Sequence, residues 1–197
     1  MLVHELWSPG HLTVRTIRDR RLGHAVEVRR DGRLLAEGDD EGLVRATTGL
    51  VLAEAPFVAA DDVPVGPRLL VDVFGGRQGE VVVRRAVEGW RRRALEADLT
   101  IDGAAVARLR TLGPLAEDAV VVADGAELAR LARFDHLRGT RFVVSAWDLS
   151  VAEIEDERLR AVTVAAVLGL PRLRAAVAAR ERARRRAERR ARRRLRA

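Results

Sequence analysis

The 197-residue chain contains no cysteine and no tyrosine, one methionine, three tryptophans and four phenylalanines, and for all its arginine it has no lysine. Without cysteine there is no disulfide, no thiolate nucleophile and no thiolate-ligated zinc, which fits a reducing compartment. Without lysine every cationic side chain is a guanidinium, the group suited to bidentate contact with phosphate or carboxylate. In the body of the chain, codon bias in a GC-rich genome accounts for most of that choice. Long apolar runs are missing too. The helix-like stretch Ala161 to Leu170 is bounded by Arg158 and Arg160 before it and by Pro171 and Arg172 after it. It falls short of the roughly 20 residues a membrane span needs. Met1 to Trp7 carries neither a basic n-region nor a long apolar h-region, so a cytoplasmic location is expected, with any lipid contact at the inner membrane face.

Signatures of catalysis and metal binding are equally sparse. His4, His11, His24 and His136 form no i, i+4 pair, and Ser8, Ser145 and Ser150 lie in no Gly-x-Ser-x-Gly elbow. Asp39-Asp40 and Asp61-Asp62 read as solvated loop acids. Gly75-Gly76-Arg77-Gln78-Gly79 has no helix after it and reads as a hairpin turn rather than a phosphate cradle. Trp90 before Arg91-Arg92-Arg93 is the one body site that pairs an aromatic with a basic cluster, as single-strand readers do, although a core or rim tryptophan is the plainer reading. No enzyme, cofactor or metal is expected.

What is present is β-patterning. Leu12 to Ile17, Leu69 to Phe74, Glu80 to Arg84 and Phe142 to Trp147 alternate apolar and polar residues with the period of half-buried strands. Asp31-Gly32, Asp102-Gly103 and Asp124-Gly125 predict tight hairpin turns. Aligning the three Asp-Gly pairs exposes a repeat. Three residues before the Asp stands Val28, Leu99 or Val121; four after it stands Leu35, Val106 or Leu128, followed each time by Ala36, Ala107 or Ala129. The unit spans Val26 to Gly38, Asp98 to Arg110 and Val120 to Ala132, and repeated hairpins suit an antiparallel barrel or meander. Gly66-Pro67 and Asp39 to Gly42 read as further turns.

After these strands comes the segment that is apolar on every side, which must be enclosed by protein. Ser150 with Glu153 reads as a capping box, and Glu153, Glu155, Asp156 and Glu157 suit the positive end of a helix dipole. Pro171 is expected to end or bend the helix.

Hairpins, a Trp147-Asp148-Leu149 strand end and then Asp156-Glu157-Arg158-Leu159-Arg160-Ala161-Val162 opening an apolar helix together resemble the phospholipid scramblase and LURP-one-related group of tubby-like proteins. The specific part of the match is the helix segment. The resemblance implies a closed antiparallel barrel of about twelve strands around a hydrophobic C-terminal helix, at about 156–170 here. Scramblases carry an Asp-rich calcium segment before that helix; Leu149-Ser150-Val151-Ala152-Glu153-Ile154-Glu155 departs from it, so its acids read as stabilising the helix start.

The charge is divided unevenly. Arg172 to Ala197 holds thirteen arginines against two acids, net +11, while the preceding residues hold twenty-three against twenty-seven, net −4. The expected division is therefore a barrel domain over 1–171 and an Ala/Arg-rich helical or disordered tail over 172–197, with Ala183, Ala187, Ala191 and Leu195 as a weak stripe. Arg182, Arg184, Arg185, Arg186, Arg189, Arg190, Arg192, Arg193 and Arg194 are the candidate anion-binding residues. The expected role is a non-catalytic module that associates with anionic phospholipid membranes. The alternative is nonspecific binding of nucleic-acid phosphate by the same tail; a solubilising tail and a lipid-like ligand inside the barrel also remain open.

Overall fold

The computed structural model describes residues 2–19, 23–38, 43–46, 51–54, 68–73, 76–88, 93–113, 118–134 and 143–194. The protein is mainly β, with one antiparallel sheet followed by two C-terminal helices. A short helix α1 (Leu2–Trp7) precedes β1 (Gly10–Asp19), β2 (Gly23–Arg30), β3 (Arg33–Gly38), β4 (Leu43–Ala46), β5 (Val51–Glu54) and β6 (Arg68–Val73). Then come β7 (Gly76–Glu88), β8 (Arg93–Ile101), β9 (Ala104–Leu112), β10 (Asp118–Ala123), β11 (Ala126–Phe134) and β12 (Val143–Val151). The helices α2 (Glu157–Leu168) and α3 (Leu170–Arg194) complete the chain. Consecutive strands pair, and β1 also pairs with β12 from Gly10↔Val151 to Ile17↔Val143. Between β5 and β6, Glu54↔Leu70 is the partnered pair among the described residues.

The four alternating segments fall in β1, β6, β7 and β12, with Phe74 and Phe142 outside the described residues. Alternation does what period two requires. In β8, Leu95, Ala97 and Leu99 are buried on the concave face; Asp98 faces out, where Arg84 Nε meets it at 3.0 Å and Arg108 Nε at 3.5 Å.

The hairpin repeat has a structural origin. In all three turns Asp and Gly both take positive φ, 50° and 81° at Asp31-Gly32, 52° and 81° at Asp102-Gly103, and 48° and 81° at Asp124-Gly125. These are the values of a type I′ turn. Val28 pairs with Ala36, Leu99 with Ala107 and Val121 with Ala129; in each hairpin the register slips immediately after that pair. Leu35, Val106 and Leu128 are the extra residues of three equivalent β-bulges. A bulge suspends strict alternation, so Leu35 and Ala36 are both buried although adjacent. The repeated apolar-Ala doublet is the sequence mark of that bulge.

Helix α2 begins differently from expectation. β12 continues to Val151, and Ser150 sits in the ladder opposite His11 and Arg130, its hydroxyl directed at the Arg130 carbonyl. A ladder residue six positions upstream of the N-cap cannot cap the helix, so the Ser150–Glu153 capping box is not formed. The N-cap is Asp156, whose Oδ1 accepts from the Arg158 N–H at 2.8 Å and the Leu159 N–H at 3.1 Å. From Ala161 to Leu168 every residue of α2 is buried, including Val162, Ala165, Ala166 and Leu168. The helix lies against β6 through β11 and touches α1, whose Leu6 and Trp7 are also buried. Glycine permits the closest approaches. A Cβ on Gly79 would stand 2.8 Å from Val162 Cγ2 and collide with the Thr100 carbonyl, and one on Gly169 would collide with the Leu69 side chain.

Gly169 also divides the helices. Its N–H donates to Ala165 O at 2.7 Å, and its carbonyl accepts from Arg172 and Leu173, both at 3.1 Å. It therefore closes α2 and opens α3. Pro171 occupies the first turn of α3, where a missing N–H costs nothing, and the two helices meet at a 57° bend. No single described helix is long and apolar enough to cross a bilayer; α2 and α3 reach that length only together, across the bend.

Candidate anion-binding arm

Alanine and arginine are both strong helix formers, and α3 runs unbroken for 25 residues. Its first turns belong to the body. Leu170 and Leu173 are buried, Val177 is partly buried against the core, and α3 packs along β7. The i, i+3, i+7 apolar stripe of Leu170, Leu173 and Val177 holds the beginning of the tail on the sheet. From Arg182 to Arg192 every residue is exposed.

The nine candidate arginines do not form one equivalent set. At about 100° per residue, Arg182, Arg185, Arg186 and Arg189 fall within an arc of about 100°. They line one shallow groove of about 180 Å³ on the helix surface. Arg190 and Arg192 flank this face. Arg184 lies on the other side with both acids of the arm. Its Nη2 donates to Glu181 Oε1 at 3.0 Å, and its Nε stands 3.8 Å from Glu188 Oε1. Glu181 Oε1 also accepts from Arg185 Nε at 2.9 Å. The hydrogen bonds from Arg185 and then Arg184 hold the Glu181 carboxyl below its ordinary range, and the bond to Glu181 raises the Arg184 guanidinium. Arg182, Arg186, Arg189, Arg190 and Arg192 have no carboxylate partner among the described residues. The backbones of Arg193 and Arg194 complete α3, with their side chains outside the described residues. Ala183, Ala187 and Ala191 face away from the groove and are exposed; Leu195 lies outside the described residues.

Sequence reasoning found the basic tail but missed how its acids sort the arginines. The signal was the Glu-Arg spacing of three and four, which makes Glu181 and Glu188 neighbours of Arg184 on the helix surface.

The other candidates separate. His11 Nδ1 lies 2.9 Å from Asp148 Oδ2 on an exposed face, and no group of three or more His, Asp or Glu residues fit for a metal occurs among the described residues. Glu153, Glu155 and Glu157 are exposed, while the Asp156 carboxylate is occupied in capping. His4 and His24 side chains, His136, Trp90, Gly75, Gly66-Pro67, Asp39-Asp40 and Asp61-Asp62 lie outside the described residues, whereas Gly76 to Gly79 form the start of β7. A lipid-like ligand within the concavity would compete with α2 for its place.

No family model, curated protein or solved structure matches the chain.

Proposed function

We propose that this protein is a non-catalytic binding module that associates peripherally with anionic phospholipid membranes, at the inner membrane face of the cytoplasm. One observation carries the reading: an exposed helical arm on which Arg182, Arg185, Arg186 and Arg189 share one face, with Arg184 and both acids beside it. A one-sided cationic helix presents its charge to a plane. Each arginine near an anionic leaflet contributes about 1 kcal/mol, so the face attracts such a surface without inserting into it.

The scramblase and LURP-one-related resemblance belongs to the same reading, as does a barrel closed around α2. The pairing of β1 with both β2 and β12, and the burial of Ala161 to Leu168, support that closure.

The test is sedimentation with vesicles of phosphatidylcholine and phosphatidylglycerol, before and after deletion of 182–197. The deletion starts at Arg182 because Leu170 and Leu173 belong to the core. Sedimentation is expected to vanish with the arm and to weaken as salt rises. Undiminished sedimentation of the truncated chain ends the proposal.

A second reading, nonspecific binding to the phosphate backbone of nucleic acid, is favoured by the lack of any apolar residue larger than alanine between Arg182 and Arg192. Loss of duplex DNA retention on the same deletion, with vesicle sedimentation absent throughout, would select it.

A further inference from the structure

We infer that Arg182, Arg185, Arg186 and Arg189 form a cradle selective for a phosphomonoester dianion. This rests on the anionic-surface reading and adds the class of headgroup. The four occupy i, i+3, i+4 and i+7, positions that are mutual neighbours on a helix, and they line a single groove of about 180 Å³. Like charges at these spacings repel. Arg182, Arg186 and Arg189 have no carboxylate partner among the described residues, so the groove carries more positive charge than Glu181, bound to Arg185, offsets. Arg185 is oriented within it. Glu181 takes its Nε at 2.9 Å, which leaves both terminal nitrogens for a ligand.

The charge and shape of the ligand follow from the groove. A phosphodiester offers two free oxygens and one charge, whereas a monoester offers three oxygens and approaches two charges above its second pKa of about 6. Guanidinium forks from two sides of the groove can engage three oxygens at once, and charge-assisted forks are the strong form of hydrogen bond. The shared chemistry belongs both to a monoester lipid headgroup and to a soluble organic phosphate.

The experiment uses the full chain. Its affinity is measured for phosphatidylcholine vesicles carrying phosphatidate, for phosphatidylglycerol vesicles adjusted to the same zeta potential, and for inositol hexakisphosphate in solution. Phosphatidate vesicles are expected to bind about tenfold tighter than the matched phosphatidylglycerol vesicles, a preference that shrinks below about pH 6. The triple variant Arg182→Lys, Arg186→Lys, Arg189→Lys keeps the charge and loses the forks, so its affinities for the two matched vesicles should become equal. Equal affinity for the matched vesicles overturns the cradle and leaves general surface association standing. Lysine-sensitive binding of inositol hexakisphosphate without vesicle sedimentation supports the cradle, assigns it a soluble phosphate and overturns the membrane reading. Tighter retention by duplex DNA than by phosphatidate overturns the cradle in favour of a diester backbone, and no binding to any probe overturns both.

Discussion

The guanidinium of Arg158 grips the carboxylate of Asp102 through two bonds of 2.8 Å, tying the first turn of α2 to the tip of the β8–β9 hairpin across 56 positions of sequence. A further bond from Arg158 Nη2 reaches the Gln78 carbonyl at 3.3 Å. The start of the buried helix is thereby fastened to the β8–β9 turn and to the beginning of β7.

That clamp has a pH signature. The hydrogen bond from Arg158, reinforced by its charge, holds the Asp102 carboxyl below the ordinary range. A depressed acid contributes stability above the unfolded pKa of about 4 and loses it as pH falls through the lower folded value. Asp102→Asn tolerates the turn's positive φ of 52° while removing the charge. The urea midpoint of this variant should lie slightly below that of the parent near neutral pH, and the gap should close in strong acid. The effect is small because the Asp102 side chain is 75% exposed. A gap of the same size in acid would show that the charge is not its cause.

The helix start gives a second prediction. Asp156→Ala removes the acceptor of two backbone N–H groups and should cost about 1 kcal/mol in denaturant unfolding. Ser150→Ala should leave stability within about 0.5 kcal/mol, since Ser150 is a ladder residue. The reverse ranking would restore the capping box read from the sequence.

Close packing of β7 on α2 is testable at Gly79. Gly79→Ala forces a methyl against the Thr100 carbonyl and Val162 Cγ2, and should destabilise by about 1–3 kcal/mol. Combining it with Val162→Ala should recover little, because the backbone carbonyl cannot be trimmed. Full recovery in the double variant would place the collision at Val162 alone.

Among the described residues, Thr163 is the one fully buried polar residue of the core, and its hydroxyl has no hydrogen-bond partner. Thr163→Val keeps the shape and removes an unsatisfied group, so thermal or urea unfolding should show stabilisation of about 1 kcal/mol. A loss of stability would mean that the hydroxyl is bonded in solution.

Legibility followed the range of the forces involved. The hairpins were readable because positive φ at Asp-Gly is a local property, and the three bulges left a doublet in the sequence before their geometry was known. The burial of Ala161 to Leu168 was also readable, since a helix without a polar face has nowhere to stand in water. The helix cap was misplaced because Ser150 has capping chemistry, yet partners on β1 and β11, far away in sequence, hold it extended. In the arm, composition exposes the cationic tail, and the three- and four-residue spacing of Glu181 and Glu188 from Arg184 sorts its arginines.

The sequence by itself determined the β-rich body, its repeated turns, one enclosed helix and a basic C-terminal segment, all consequences of residue type and short-range spacing. Only the tertiary structure decided where the enclosed helix begins, which strand brings Gly79 beneath Val162, and how far the tail stays on the body before Arg182. Those outcomes depend on contacts between distant segments, whose stabilisation arises only when the sheet and helix are packed together.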